Sequence, residues 1–229
     1  MTIKEIYTTY SIPQNLQEHM LRVAAMGSII CQNVQNITID TNLIVKTLLL
    51  HDMGNIIKFD FSMSHFLSAM DQERIDYLKK IQKEFVEKYG EDVNAATKKI
   101  IIEITTDQRI LHLFENSKGD SIKDFIDGEE WDRKISYYCD MRVGPLGVVT
   151  LGQRFDDLKD RYAMRDTMLQ QRYCFLDGYR NRCSIIEQQI QSIVSIRLRN
   201  INDTMVNKEI EKIKDTVFLI NPQKLLKMR

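Results

Sequence analysis

Glycine and proline are scarce, 9 and 3 in 229 residues. A sandwich or barrel of many short strands spends more turn residues than that, so the chain reads as helical. Long apolar runs are missing too. The longest, around Leu48-Leu49-Leu50 and Ile100-Ile101-Ile102, fall far below the ~18 residues that span a bilayer. No apolar stretch comes after Met1-Thr2-Ile3-Lys4-Glu5, so no signal peptide is expected. Cys31, Cys139, Cys174 and Cys183 include no C-x-x-C pair, and buried free thiols in a reducing cytoplasm are expected. Net charge is absent: 32 Lys and Arg balance 32 Asp and Glu. That balance gives no long-range pull towards nucleic acid or an anionic membrane. Histidine is rare enough, at 4, that each one can be weighed singly.

What is present is a globular composition, 43% hydrophobic, in a chain long enough for a real core. The neutrality is a cancellation. Residues 1–140 carry 16 basic against 22 acidic side chains, and residues 141–229 carry 16 against 10. Helical periodicity dominates. Leu16, Met20, Val23, Gly27 and Ile30 share a face of a helix over 14–35. Asp40 is placed to cap a helix over 41–53 that is apolar on most sides (Leu43, Ile44, Val45, Leu48, Leu49, Leu50), which predicts central burial. Asp71 and Gly90 bracket a helix over 72–89. Further helices are expected from Asp92, over 107–116 and over 129–143, the last stopped by Gly144-Pro145. Residues 117–128 read as loop. Thr150-Leu151-Gly152-Gln153 is a capping box opening a helix at 151. A long helical pattern over 166–199, broken at Asp177-Gly178, and a last helix over 204–219 complete a bundle of about ten helices. The run Ile185, Ile186, Ile190, Ile193, Val194, Ile196 is too apolar for a free helix and either packs on the bundle or forms a homo-oligomer interface. Basic residues here, among them Arg180, Arg182, Arg197 and Arg199, are interleaved with polar ones, which fits a solvated surface better than a nucleic-acid track.

Chemistry concentrates in a few residues. His51-Asp52 stands at the C-terminal end of the apolar second helix, His19 lies one helix earlier, and Asp140 comes late in helix 129–143. A buried Asp beside a buried His is costly unless something neutralises it, and a divalent cation does. A carboxylate at a helix C-terminus, as at Asp140, is disfavoured by the helix dipole, which also favours a bound cation.

These residues resemble the HD-domain metal-dependent phosphohydrolases. Glu18-His19-Met20-Leu21-Arg22-Val23-Ala24 is similar to that family's first helix. Leu49-Leu50-His51-Asp52-Met53-Gly54 is similar to its His-Asp doublet, and Tyr138-Cys139-Asp140-Met141-Arg142-Val143 to its last-ligand helix. Gly147 to Leu158 is similar to the segment downstream of that Asp in many single-domain members. The resemblance implies an all-α HD-domain helical bundle over 1–165, with additional C-terminal helices over 166–229. It further implies one divalent ion held by His19, His51, Asp52 and Asp140. Such a donor set suits Mn²⁺, Fe²⁺, Co²⁺, Ni²⁺ or Zn²⁺ better than Ca²⁺. The activity implied is hydrolysis of a small anionic phosphate ester, a nucleotide foremost, by a metal-activated water, with Asp52 catalytic. Arg22, Lys58, Arg142 and Arg154 are the candidate phosphate partners.

The chain also departs from known members. Asn55 stands where HD-Gly-Lys members have Lys, and no Gly-Tyr-Pro occurs downstream, since Asp177-Gly178-Tyr179-Arg180 does not match it. Asn55-Ile56 replaces the Glu-Asp pair of stringent-response hydrolases, and no Glu stands between the doublet and Asp60, as deoxynucleoside monophosphatases would require. Two rival expectations remain. One is a di-iron HD oxygenase, for which His65, His112 and Glu103 are the extra ligand candidates; the other is a non-catalytic helical binding or assembly protein with a vestigial site.

Overall fold

Most helices of the computed structural model begin where a short polar side chain caps them. Asp40 accepts from Leu43 N–H at 3.0 Å, Asp71 from Arg74 N–H at 2.8 Å, Asp92 from Ala95 N–H at 2.6 Å and Asn202 from Met205 N–H at 3.2 Å. The described residues are 1–61, 71–117, 122–163 and 169–219, the side chains of 161–177 excepted. Among them the chain folds as an all-α bundle with one small hairpin. Its helices are α1 (Ile3–Thr9), α2 (Gln14–Gln32), α3 (Thr41–Leu50), α4 (Gln72–Tyr89), α5 (Val93–Ile104) and α6 (Gln108–Asn116). They continue with α7 (Ile122–Phe125), α8 (Trp131–Met141), α9 (Leu151–Ala163), α10 (Leu169–Ile193) and α11 (Asp203–Ile213). One 3-10 turn comes after α3 at Asn55–Lys58 and another spans Leu198–Asn200. The strands β1 (Val143–Gly144) and β2 (Gly147–Val148) pair antiparallel.

The apolar faces of α2 and α3 meet at the centre. Met20, Val23, Ala24 and Met26 of α2 and Ile44, Leu49 and Leu50 of α3 are fully buried. A Cβ on Gly27 would stand 2.8 Å from Leu48 Cδ1, so glycine permits this close crossing. α6 and α8 pack on α3, and α11 packs on α2. The apolar core is continuous from Ile3 to Phe218 and includes Cys183, Ile186, Ile190 and Leu198. The C-terminal isoleucine run therefore turns Ile186 and Ile190 inwards, while Ile185 is 44% exposed.

Three local expectations fail for physical reasons. Residues 117–128 hold a short helix, α7, because Ile122, Phe125 and Ile126 are drawn into the core. α10 runs through Gly178 without a break, since one glycine costs a helix only about 1 kcal/mol. The last helix stops at Ile213, and the chain turns back to the N-terminus, where Ile3 N–H donates to Thr216 O at 2.9 Å. The helix α1 and the hairpin were not expected; α1 opens on a capping box of Thr2 and Glu5.

Gly54 fixes the turn after α3. A Cβ there would lie 2.7 Å from Val93 O and 2.8 Å from Thr97 Oγ1, the hydroxyl that accepts from Gly54 N–H at 3.0 Å. Backbone cannot give way as a side-chain tip can. Gly54→Ala is expected to lower stability by about 1–3 kcal/mol, read as a drop in the urea midpoint with an unchanged m-value.

Candidate metal centre

α3 ends at Leu50, and its last carbonyls need partners. Tyr7, from α1, donates its buried hydroxyl to Leu49 O at 2.7 Å. The His51 ring turns back so that Nδ1 lies 2.6 Å from Leu48 O. A carbonyl only accepts, so Nδ1 carries hydrogen and Nε2 points away into the bundle.

At that nitrogen three helices converge. His19, from the second turn of α2, has Nε2 at 3.2 Å from Asp140 Oδ1 and 3.6 Å from Asp52 Oδ2. His51 Nε2 lies 3.5 Å from Asp140 Oδ1 and 3.8 Å from Asp52 Oδ1. Donor atoms of His19, His51 and Asp140 all fall within 4.8 Å of one another. His51 Nε2 is buried and makes no hydrogen bond; 3.5 Å is too long for a good one. The cluster is sunk on its imidazole side and open on the other. The His51 side chain is 12% exposed and that of Asp140 is 42% exposed. The C-terminal ends of α3 and α8 both point here, which adds negative potential to that of the carboxylates.

This crowding of charge sets the proton affinities. Burial alone would push the His51 pKa down, but the charges of Asp52 and Asp140 outweigh it and raise it to about 9. Desolvation would raise the Asp140 carboxyl, yet the hydrogen bond to His19 and the nearby imidazoles of His51 and His19 hold it well below the usual carboxylate range. Burial, and then the Asp52 charge, push the Tyr7 phenol up, so its hydroxyl stays a donor.

These residues fit a divalent cation. An orphaned buried imidazole nitrogen faces two carboxylates, and its other nitrogen is fixed by a main-chain carbonyl, as metal-binding histidines require. The donor set is nitrogen and oxygen, which suits first-row transition metals.

A family model described as an HD domain matches residues 4–141. The chain belongs to the HD-domain family. Neither a curated protein nor a solved structure matches it. HD domains bind divalent metals and are in general metal-dependent phosphohydrolases. The match ends just after Asp140, so α9, α10 and α11 lie beyond it.

The remaining candidates scatter. Arg142, expected as a phosphate partner, is instead 1% exposed, and its guanidinium is spent on Val149 O, the Tyr138 hydroxyl and Leu198 O. A fork held by buried acceptors cannot reach a phosphate. Arg22 pairs with Glu18 on its own helix at 3.2 Å. Lys58 is exposed on the turn after the doublet. Arg154 is mostly buried, 3.5 Å from Asp157, and its Nε has no hydrogen-bond partner among the described residues. Glu103 accepts from the hydroxyls of Tyr10 at 3.1 Å and Tyr89 at 3.0 Å, which gives it a structural use away from the cluster. His112 is exposed, with Nδ1 3.3 Å from Asn116 Nδ2. His65 lies outside the described residues. Among the described residues, Glu103 and His112 therefore supply no second-metal ligand next to the first. Tyr7 was not singled out by sequence, although Ile3, Ile6, Tyr7 and Tyr10 carry the helical spacing that marks α1. Among the described residues, no helix is long and apolar enough to cross a membrane.

Proposed function

We propose that the protein is a mononuclear metal-dependent phosphohydrolase acting on a small phosphate ester, a nucleotide in the first place. The observation that carries this reading is the bare, buried Nε2 of His51, set against Asp52 and Asp140 while Nδ1 is tied to Leu48 O. One divalent ion, Mn²⁺, Fe²⁺, Co²⁺, Ni²⁺ or Zn²⁺, would be held by His19, His51, Asp52 and Asp140. When bound, it supplies a Lewis acid that acidifies water and draws charge from a phosphoryl oxygen.

The chain's own residues do the rest. Asp52 touches both imidazoles and takes the proton of the attacking water. The residue three positions later is Asn55, neutral and 5% exposed, so the turn brings no second acid or base there. Arg22, one turn after His19 on α2, and the further candidates Lys58 and Arg154 would supply positive charge for the phosphate. The exposed Asp140 side gives substrate its approach.

The test is a hydrolysis screen of nucleoside mono-, di- and triphosphates and p-nitrophenyl phosphate with added Mn²⁺. At least one ester is expected to be cleaved, and EDTA to stop the cleavage. No turnover of any ester by protein that holds its metal would reject the assignment.

A further inference from the structure

Two helices that carry candidate ligands are gripped by a part of the chain beyond the matched family domain. Arg142 caps α8, two residues after Asp140. Its Nε donates to Val149 O, its Nη1 to the Tyr138 hydroxyl and to Leu198 O at 3.0 Å, and its Nη2 to Ile201 O at 3.4 Å. Tyr138 in turn donates to Glu187 Oε1 at 2.7 Å, and that carboxylate lies 3.9 Å from Arg142 Nη1. So a buried cation joins α8 to α10 and to the 3-10 turn at Leu198. Charge-assisted bonds from a planar fork are directional and resist sliding.

A second grip acts on α2. Glu209, 4% exposed on α11, accepts from Ser28 Oγ at 2.7 Å and Gln32 Nε2 at 2.6 Å, both on α2. Ser195 N–H donates to Asn33 O at 2.9 Å, and Gln35 N–H to Ile193 O at 2.7 Å, so the chain just after α2 is pinned as well. α2 brings His19 and α8 brings Asp140, and these two meet at 3.2 Å. A metal site tolerates errors of only about 0.2 Å in ligand distance. Apolar packing between helices is less exacting than that.

We infer that residues 187–209 form a positioning strap for the metal centre, with Arg142 as its clasp on the Asp140 helix and Glu209 as its clamp on the His19 helix. The inference rests on the metal reading above. Arg142 is a positioning residue and touches no substrate. Metal affinity then depends on contacts made outside the family domain.

Mn²⁺ titration of the full chain by calorimetry tests this, beside circular dichroism and melting curves without metal. Arg142→Lys and Glu209→Gln are expected to stay helical and to bind Mn²⁺ about tenfold more weakly than the wild type. Ile110→Val, a core change on α6, is expected to melt lower yet bind Mn²⁺ as the wild type does. That contrast separates positioning from general stability. If Arg142→Lys fails to fold, Glu187→Gln takes its place with the same expectation. Folded strap variants with wild-type affinity would overturn the inference and leave the metal reading standing. A wild-type chain that takes up no Mn²⁺ would overturn both.

Discussion

Asp52→Ala is expected to lower the proposed phosphate-ester hydrolysis by about 10³-fold or more, while the helical signal and the melting temperature stay near the wild-type values. General base catalysis alone accounts for about 10²–10⁴-fold, and Asp52 is also a proposed ligand of the ion. Its side chain is 22% exposed and 3.6 Å from His19 Nε2, at the end of α3 rather than in the apolar core, so truncation leaves no large cavity. Steady-state kinetics at saturating Mn²⁺, with far-UV circular dichroism as the control, measure it. Loss confined to KM would mean that Asp52 binds substrate and does not take part in the chemistry.

The second large effect is the pH dependence of metal affinity. Without an ion, the Asp52 and Asp140 charges raise the His51 pKa to about 9 despite burial. A cation can bind only to the neutral ring, so below that pH each ion taken up displaces a proton. Affinity for Mn²⁺ is expected to rise about tenfold per unit between pH 7 and pH 9 and to level off above. For metal-free protein, stability changes in the opposite direction. The folded pKa of His51 lies above its ordinary value near 6.5, so its protonation stabilises the fold fully below pH 6.5. That contribution is lost as pH rises to about 9. Metal-free protein should therefore melt lower at pH 9 than at pH 6.5, and Mn²⁺ should rescue it most at the higher pH. Titrations in buffers of different ionisation enthalpy count the released proton. A flat affinity from pH 7 to pH 9 would show that His51 holds no proton for the ion to displace.

Much of this was legible from local rules. Asp40, Asp71 and Asp92 cap the helices they were expected to cap. Thr150 and Gln153 form their box, with Gln153 N–H 3.2 Å from Thr150 Oγ1 and Thr150 N–H 2.8 Å from Gln153 Oε1. His19, His51, Asp52 and Asp140 came from the order and contexts of the motifs, and the fold sets each imidazole Nε2 3.2–3.8 Å from a carboxylate oxygen of Asp52 and of Asp140. What local rules missed depends on tertiary placement. The charge on Arg142 says nothing of the carbonyls of Leu198 and Ile201, more than 50 residues away, that bury it. The same charge at the same distance from Asp140 would suit a phosphate or a clasp, and only the returning chain decides. Glu103 is similar: an isolated charge on an apolar helix could face a pocket, and two tyrosine hydroxyls claim it instead. Arg142 and Glu209 tie the segment after 141 onto helices α8 and α2.

Elemental analysis of metal-loaded, desalted protein tests the central claim most directly. One divalent transition-metal ion per wild-type chain is expected, and none in His51→Ala or Asp140→Ala protein that remains folded. Two irons per chain, or full metal retention in both variants, would contradict a single ion held by His19, His51, Asp52 and Asp140.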